Sequence, residues 1–229
     1  MNNFGKYLIV PVLGIIVVAW GAFALAAGSG ADMSADEAIK RLMDGNKRYA
    51  ESKMTVCGET TKETREILSK GQRPYAIILS CSDSRVPPEI IFDKTLGEIF
   101  VIRVAGNVPG PIVLGSIEYA AEEFGSPLIM VLGHQRCGAV TASVDAHGKP
   151  EGNIGAIIKA IMPAVKKAKQ GAKEKSKGDL VEKAVDYNIR LTAENITEHS
   201  PIIKRLIKEG KVKLVKAKYD LDDGKVTLY

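Results

Sequence analysis

Two short polar clusters hold most of the side chains in this sequence that could do chemistry. Residues 81–85 read CSDSR, and residues 134–137 read HQRC. Two thiolates and an imidazole form a donor set that zinc prefers, and three protein ligands leave one position of a tetrahedral ion open, as in catalytic sites. We therefore predict that Cys81, His134 and Cys137 bind a catalytic zinc ion.

A carboxylate and a guanidinium follow the first cysteine. Asp83 lies two residues after Cys81, and Arg85 follows two residues later. The positive charge of Arg85 favours the ionised form of Asp83. Such a carboxylate can accept a hydrogen bond at a metal site or move onto the metal as a fourth ligand. The alternative is a plain surface ion pair, worth about 0 to 1 kcal/mol.

Other interpretations of the two clusters stay open at this point. In an oxidising compartment Cys81 and Cys137 could form a disulfide. A buried cysteine is usually a small hydrophobic residue, and a lone histidine is usually an ordinary hydrogen-bonded one. A cysteine followed by an arginine can also belong to a phosphate-binding loop, but no glycine run supplies backbone donors here.

The sequence around the clusters predicts strands that bring them to one edge of a sheet. Short apolar runs bounded by turn residues predict buried strands at 75–80, 99–104 and 128–132. Alternating residues on either side of an Asp-Gly pair predict a hairpin of strands 212–219 and 226–229. Helical periodicity, caps and turn residues predict helices at about 34–51, 59–69, 112–124, 136–147, 154–170, 179–199 and 201–210.

Strands that alternate with helices require crossover connections and therefore a mostly parallel sheet. We predict a single α/β domain over residues 32–229, with a mostly parallel central sheet flanked by helices and a C-terminal antiparallel hairpin at its edge. Ligands gather at the carboxyl ends of strands in open parallel sheets, so both polar clusters should face one crevice.

The N-terminal residues have the composition of an export leader. Lys6 precedes a long, almost wholly apolar run, and no other charged side chain occurs before Asp32. Ala24 and Ala26 form an A-x-A cleavage site, which favours a signal peptide over residues 1–27. The run is also long enough to remain as an uncleaved membrane anchor. We expect the protein to associate with a membrane only if the leader is retained in this way. Either outcome predicts an exported protein, which we place in the periplasm.

The composition excludes several other classes of protein. Charged residues make up 26% and hydrophobic residues 45%, which excludes disordered and collagen-like chains. The net charge of +5 comes from a C-terminal excess spread along helices with few aromatic residues, so we expect no nucleic-acid partner. Three cysteines are too few for a disulfide scaffold. We expect a buried thiol at Cys57, with an intersubunit disulfide as the alternative.

Taken together, these motifs resemble those of the β-class carbonic anhydrases. The resemblance rests on CSDSR at 81–85, on FVIR at 100–103 with the following Gly106 and Asn107, and on GHQRCG at 133–138. It extends over about residues 34–229 and leaves the leader outside. The paired zinc motifs are highly specific.

Carried over by position, the resemblance implies three groups of site residues. They are the zinc ligands Cys81, His134 and Cys137, the catalytic dyad Asp83 and Arg85, and the substrate-binding residues Gln72, Phe100, Tyr119 and Gly138. The family supplies pocket walls partly across a dimer interface, so we expect a homodimer or a higher even oligomer. The glutamine favours the always-open form over the bicarbonate-gated subtype.

The resemblance implies a zinc lyase that reversibly hydrates CO₂ to bicarbonate and a proton by zinc-bound hydroxide. One alternative is hydrolysis of COS or CS₂ on the same scaffold, which pocket volume and access would decide. The other alternative is a zinc-binding module without turnover. A protein that only holds zinc needs none of Asp83, Arg85 and Gln72, so their presence argues against this alternative. We expect His147 and His199 to be ordinary surface residues rather than proton shuttles.

Overall fold

A five-stranded sheet forms the centre of the computed structural model, which describes residues 33–55, 60–147, 152–170 and 176–229. Its strands are β1 (Ala76–Ser80), β2 (Ile99–Arg103), β3 (Leu128–His134), β4 (Lys213–Tyr219) and β5 (Val226–Leu228). They lie in the order β2-β1-β3-β4-β5, and every neighbouring pair is parallel except β4 and β5. The predicted α/β fold and its C-terminal antiparallel hairpin are confirmed.

Helices flank this sheet at most of the predicted places. In the described part of the chain they are α1 (Ala35–Ala50), α2 (Lys62–Leu68), α3 (Pro88–Ile91), α4 (Pro111–Glu123), α5 (Gly138–Asp145), α6 (Ile154–Gln170), α7 (Lys177–His199) and α8 (Pro201–Lys208). Two elements were not predicted, the one-turn helix α3 and a 3-10 turn at Ala105–Asn107. Both are too short to show a hydrophobic period.

The two central strands are the most deeply buried part of the fold. Every residue of β1 and β3 is buried, as expected for parallel strands that are covered on both faces. The edge strand β2 is half-buried along its apolar residues and ends in an exposed arginine. The core therefore lies around β1 and β3, and these strands provide rigid supports for whatever follows them.

The register of β1 and β3 brings both polar clusters to the same edge. Ser80, the last residue of β1, pairs with Leu132 of β3. Cys81 follows β1 directly, and β3 continues for two more residues to His134. The predicted strand end at Leu132 was therefore two residues short, because His134 pairs with Tyr219 of β4. The two residues meet at the carboxyl edge, as the topology requires.

A buried amide ties the first helix to the C-terminal hairpin. Asn46 of α1 donates from Nδ2 to the carbonyls of Ile91 (3.2 Å) and Gly224 (2.8 Å). Its Oδ1 accepts a hydrogen bond from the N–H of Val226 at 2.8 Å. At the neighbouring Gly45 a Cβ atom would lie 1.8 Å from the carbonyl oxygen of Phe92, so only glycine permits this approach of α1 to α3.

Two sequence-based predictions lie outside the described residues. They are the leader at residues 1–27 and the thiol at Cys57. Among the helices that the structure does describe, none combines the length and the apolar character that crossing a bilayer needs.

Candidate metal centre

Three donor side chains converge where β1 and β3 end. The ligand atoms of Cys81, His134 and Cys137 all lie within 4.8 Å of one another, and all three residues are buried. The two sulfur atoms are 4.0 Å apart and both thiols are free. A disulfide needs an S–S distance of about 2.05 Å, so the structure does not contain the disulfide alternative. The predicted ligands are thus brought together.

The ring of His134 is oriented with one nitrogen toward the sulfurs. Its Nδ1 lies 2.8 Å from the backbone carbonyl oxygen of Gln135. A carbonyl can only accept a hydrogen bond, so Nδ1 carries the proton and Nε2 keeps a free lone pair. This Nε2 is buried and has no hydrogen-bond partner. An unpartnered buried acceptor beside two thiols is the arrangement expected of a metal ligand.

The two thiols influence each other's protonation. A hydrogen bond from the Cys137 thiol, with a further one from the Gly106 N–H, lowers the pKa of Cys81. The hydrogen bond to Cys81 and burial together raise the pKa of Cys137. Removing the proton from one thiol therefore makes it harder to ionise the other. Two thiolates this close need a cation between them, which a divalent metal would supply.

Asp83 and Arg85 form a bidentate ion pair at the edge of this group. The arginine donates from Nε to Oδ1 at 2.9 Å and from Nη2 to Oδ2 at 2.8 Å. These bonds, with the backbone N–H of Arg85, hold the pKa of Asp83 well below its usual range. Oδ2 of Asp83 also lies 3.9 Å from Nε2 of His134. The carboxylate is 17% exposed and the guanidinium side chain 52%, so the pair connects the buried donors with solvent.

Arg103, which ends β2, supports the loop that carries Cys81 and Asp83. Its Nε donates to the carbonyl oxygen of Cys81 at 2.9 Å, and its Nη2 donates to that of Asp83 at 2.6 Å. The sequence motif contained this arginine, but nothing in its type or spacing indicated these two backbone contacts. The signal was the resemblance alone.

The unpredicted 3-10 turn provides a backbone donor to the site. The N–H of Gly106 donates to the sulfur of Cys81 at 3.3 Å, and Asn188 of α7 donates to the Gly106 carbonyl at 2.8 Å. Gly106 has φ +69°, and a Cβ here would lie 2.7 Å from Cδ1 of Ile161. The close approach and the left-handed conformation both require glycine.

Of the four substrate-binding residues implied by the resemblance, one chain places only Gly138 beside the donors. It begins α5 directly after Cys137. Gln72 precedes β1, whereas Cys81 follows it, and a five-residue strand spans about 17 Å. Phe100 pairs with Ile77, three residues before the end of β1. Gln72 and Phe100 therefore lie away from the three donor residues of their own chain.

Tyr119 belongs to an exposed aromatic group instead. It is 54% exposed and packs edge-on against Phe124, with ring centroids 5.3 Å apart. Phe124 in turn contacts Phe100 at 6.0 Å. The remaining predicted surface residues, His147 and His199, are exposed. The pocket walls that the resemblance implies are therefore not assembled within a single chain.

Comparison with known proteins gives one consistent result. The model of the family described as carbonic anhydrase matches residues 76–226. Carbonic anhydrase 2 of Mycobacterium tuberculosis is 36% identical over 194 residues, which covers 83% of this chain and 91% of the relative. The β-carbonic anhydrase CcaA is similar in structure, with a TM-score of 0.66 and 27% identity over 84% of this chain and 95% of that one.

A Coccomyxa β-carbonic anhydrase, solved in complex with acetazolamide, has a TM-score of 0.69 and 25% identity, and the match covers 83% of this chain and 85% of that chain. The sequence and structure comparisons thus agree with the motif resemblance and with the geometry of the donor group. They extend well beyond the two polar clusters, over most of the sheet and its helices. This chain belongs to the β-carbonic anhydrase family.

Proposed function

We propose that this protein reversibly hydrates CO₂ to bicarbonate and a proton, as a zinc lyase. The observation that carries the proposal is the buried group of Cys81, His134 and Cys137 with the ionised carboxylate of Asp83 at its edge. Membership of the carbonic anhydrase family supports the same reaction.

The three donors fit a zinc ion in chemistry and in size. Tetrahedral zinc with Zn–S distances of about 2.3 Å requires sulfurs about 3.8 Å apart, and the two sulfurs here are 4.0 Å apart. The free lone pair on Nε2 of His134 completes the set. When bound, zinc lowers the pKa of a water molecule and so makes hydroxide available near neutral pH.

The protein's own side chains keep the Asp83 carboxylate charged and fix the backbone around Cys81 at the carboxyl edge of the sheet. Arg85 keeps Asp83 ionised, so Oδ2 can accept a hydrogen bond from a water molecule beside the donors. Arg103 and the turn at Gly106 fix the backbone around Cys81. Because these contacts exist before substrate arrives, little reorganisation is needed during the reaction.

The replacement Asp83→Asn tests this proposal. An amide keeps the size of the side chain but removes its charge, so we expect CO₂ hydration to fall on the order of 100-fold. Stopped-flow rates, with zinc counted in the same sample, measure both effects. Zinc content should stay at the wild-type value, because Asp83 is not among the three donors.

The matched control is Asp145→Asn, which removes an exposed carboxylate that pairs with Lys177 at 2.7 Å. It should leave the rate unchanged. Full activity in Asp83→Asn would refute the role of the carboxylate. A wild-type protein that holds zinc but does not hydrate CO₂ would instead favour a zinc-binding module, and turnover of COS or CS₂ would indicate the hydrolase.

We further propose that the functional unit is a homodimer or a higher even oligomer. Gln72 and Phe100 lie away from the metal ligands of their own chain, and β2, which carries Phe100, is a half-buried apolar edge strand. Large apolar side chains are exposed on the flanking elements, among them Leu96 at 50% and Ile112 at 87%. A second copy that covers this edge would also supply the missing pocket residues.

Finally, we propose that the leader, residues 1–27, directs export to the periplasm. The support is its sequence, a cation followed by an apolar run and an A-x-A site. Cell fractionation and the mass of the mature chain test the proposal. A mature N-terminus after Ala26 would indicate cleavage, an intact exported chain would indicate a membrane anchor, and a cytoplasmic location would refute export.

A further inference from the structure

The C-terminal hairpin reaches the short loop that joins two of the zinc donors. This loop, Gln135 and Arg136, is called here the 135–136 loop. The N–H of Gln135 donates to the carbonyl of Tyr219 at 3.1 Å. Its side chain donates from Nε2 to Oδ2 of Asp220 at 2.7 Å and accepts from the N–H of Leu221 at 3.3 Å. One glutamine thus makes three hydrogen bonds to the end of β4 and the turn that follows it.

Arg136 is held from two further directions. Its backbone N–H donates to Oε1 of Glu182 on α7 at 2.7 Å. Its guanidinium binds both carboxylate oxygens of Asp222, at 2.9 and 2.7 Å. The residue has φ +50°, in the left-handed region. That conformation costs about 1–2 kcal/mol for a residue with a side chain, so surrounding contacts must maintain it.

The same loop sets the orientation of the His134 ring. The carbonyl oxygen of Gln135 is the acceptor for the Nδ1 proton, at 2.8 Å. If the peptide between Gln135 and Arg136 rotated, this acceptor would leave the ring, and the free lone pair on Nε2 would no longer be directed at the sulfurs. The side-chain bonds of Gln135 oppose that rotation. Outer contacts of this kind typically change metal affinity 10- to 100-fold.

We propose that Gln135 is a positioning residue through which the turn at Asp220 and Leu221 fixes the zinc-binding orientation of His134. This inference rests on the proposed function in one respect, that the donors bind zinc. It goes beyond that function because it gives the C-terminal hairpin, far from the motifs in sequence, a role in metal retention.

The decisive experiment, in the full-length protein, exchanges the donor and the acceptor of the hydrogen bond between Gln135 and Asp220. Gln135→Glu places a carboxylate against Asp220, and we expect zinc release to a chelator in excess to become about 10-fold faster or more. Adding Asp220→Asn restores the pair, because the new amide donates to the new carboxylate and its oxygen can still accept from the N–H of Asp222. The double variant should therefore release zinc at close to the wild-type rate.

Cobalt substitution gives a readout that general destabilisation would not produce. The visible spectrum of bound cobalt reports ligand geometry, so it should change in Gln135→Glu and return in the double variant. Lys225→Met is the control, since it removes an exposed ion pair with Asp223 in the same turn without touching the 135–136 loop. If Gln135→Glu fails to fold, Gln135→Met removes both side-chain hydrogen bonds without adding a charge. We expect it, too, to release zinc faster and to change the cobalt spectrum.

Two outcomes would overturn the proposal. One is wild-type zinc release and an unchanged cobalt spectrum in the Gln135 variants. The other is a double variant that releases zinc as fast as Gln135→Glu alone. Both differ from a failure of the proposed function, which would appear as absent CO₂ hydration in the wild-type protein, whatever its zinc release.

Discussion

At the scale of single residues, the candidate site depends on backbone contacts as much as on ligands. Arg103 is exposed, yet its guanidinium fork holds the carbonyls of Cys81 and Asp83 together. Two donors in a fixed plane suit two carbonyls of one loop, which a single ammonium cannot match. The arginine therefore sets where the Cys81 sulfur and the Asp83 carboxylate stand relative to each other.

We expect Arg103→Met to lower kcat for CO₂ hydration about 10-fold, because the loop loses both donors while an unbranched apolar stem remains. Arg103→Lys should fall between this variant and the wild type. Stopped-flow kinetics measure the effect, with Arg205→Met as the control, an exposed arginine that pairs with Glu122 and Glu209. A wild-type kcat in Arg103→Met would show that the loop keeps its shape without the guanidinium.

The side-chain chemistry of the site was predictable because each donor lies at or just after the end of a recognisable strand. The backbone contacts were not. The hydrogen bond from Gly106 to Cys81 depends on a three-residue turn with two left-handed residues, Gly106 and Asn107. The hydrogen bond from Gln135 to Asp220 joins positions 85 residues apart. Neither hydrogen bond leaves a periodic signal in the sequence, because each depends on how separate strands, helices and turns pack against one another.

At the scale of elements, a small number of buried polar groups connect parts of the fold that are distant in sequence. Asn46 is 3% exposed and satisfies backbone groups of α3 and of the β4–β5 hairpin at once. The hairpin that contacts the 135–136 loop is therefore anchored to α1. Helix α1 was predicted from its capping box, and Glu37 indeed donates its N–H to Ser34, but periodicity alone did not indicate why a polar residue occupies its buried face.

We predict that Asn46→Ala lowers the free energy of unfolding by at least about 2 kcal/mol, because it leaves buried carbonyl and N–H groups without partners. Urea unfolding followed by circular dichroism measures the change. Asp44→Ala on the same helix is the control, since its ion pair with Lys40 is exposed and its loss should leave the urea midpoint nearly unchanged. Equal midpoints for the two variants would contradict the anchoring role of Asn46.

At the scale of the whole molecule, the separation of Gln72 from Cys81 by the length of β1 is the main fact to explain. The family resemblance implied that both residues serve one site, whereas strand β1 lies between them in a single chain. Sequence periodicity describes faces and ends of elements within one chain. The positions of Gln72 and Phe100 relative to Cys81 depend on how separate elements pack, which is why the strands could be predicted from periodicity and the pocket walls could not.

Mixing two inactive variants tests whether sites are shared between copies. Gln72→Ala and Asp83→Asn should each lose most CO₂ hydration as pure proteins. In a symmetric pair that contains one copy of each, one site receives both intact residues and the other receives neither. After unfolding and refolding together in equal amounts, half of the pairs should be mixed, so activity should recover to about a quarter of the wild-type value. If Gln72 instead acts within its own chain, or not at all, the mixture will show only the average of its two parents, and the shared pocket must be abandoned.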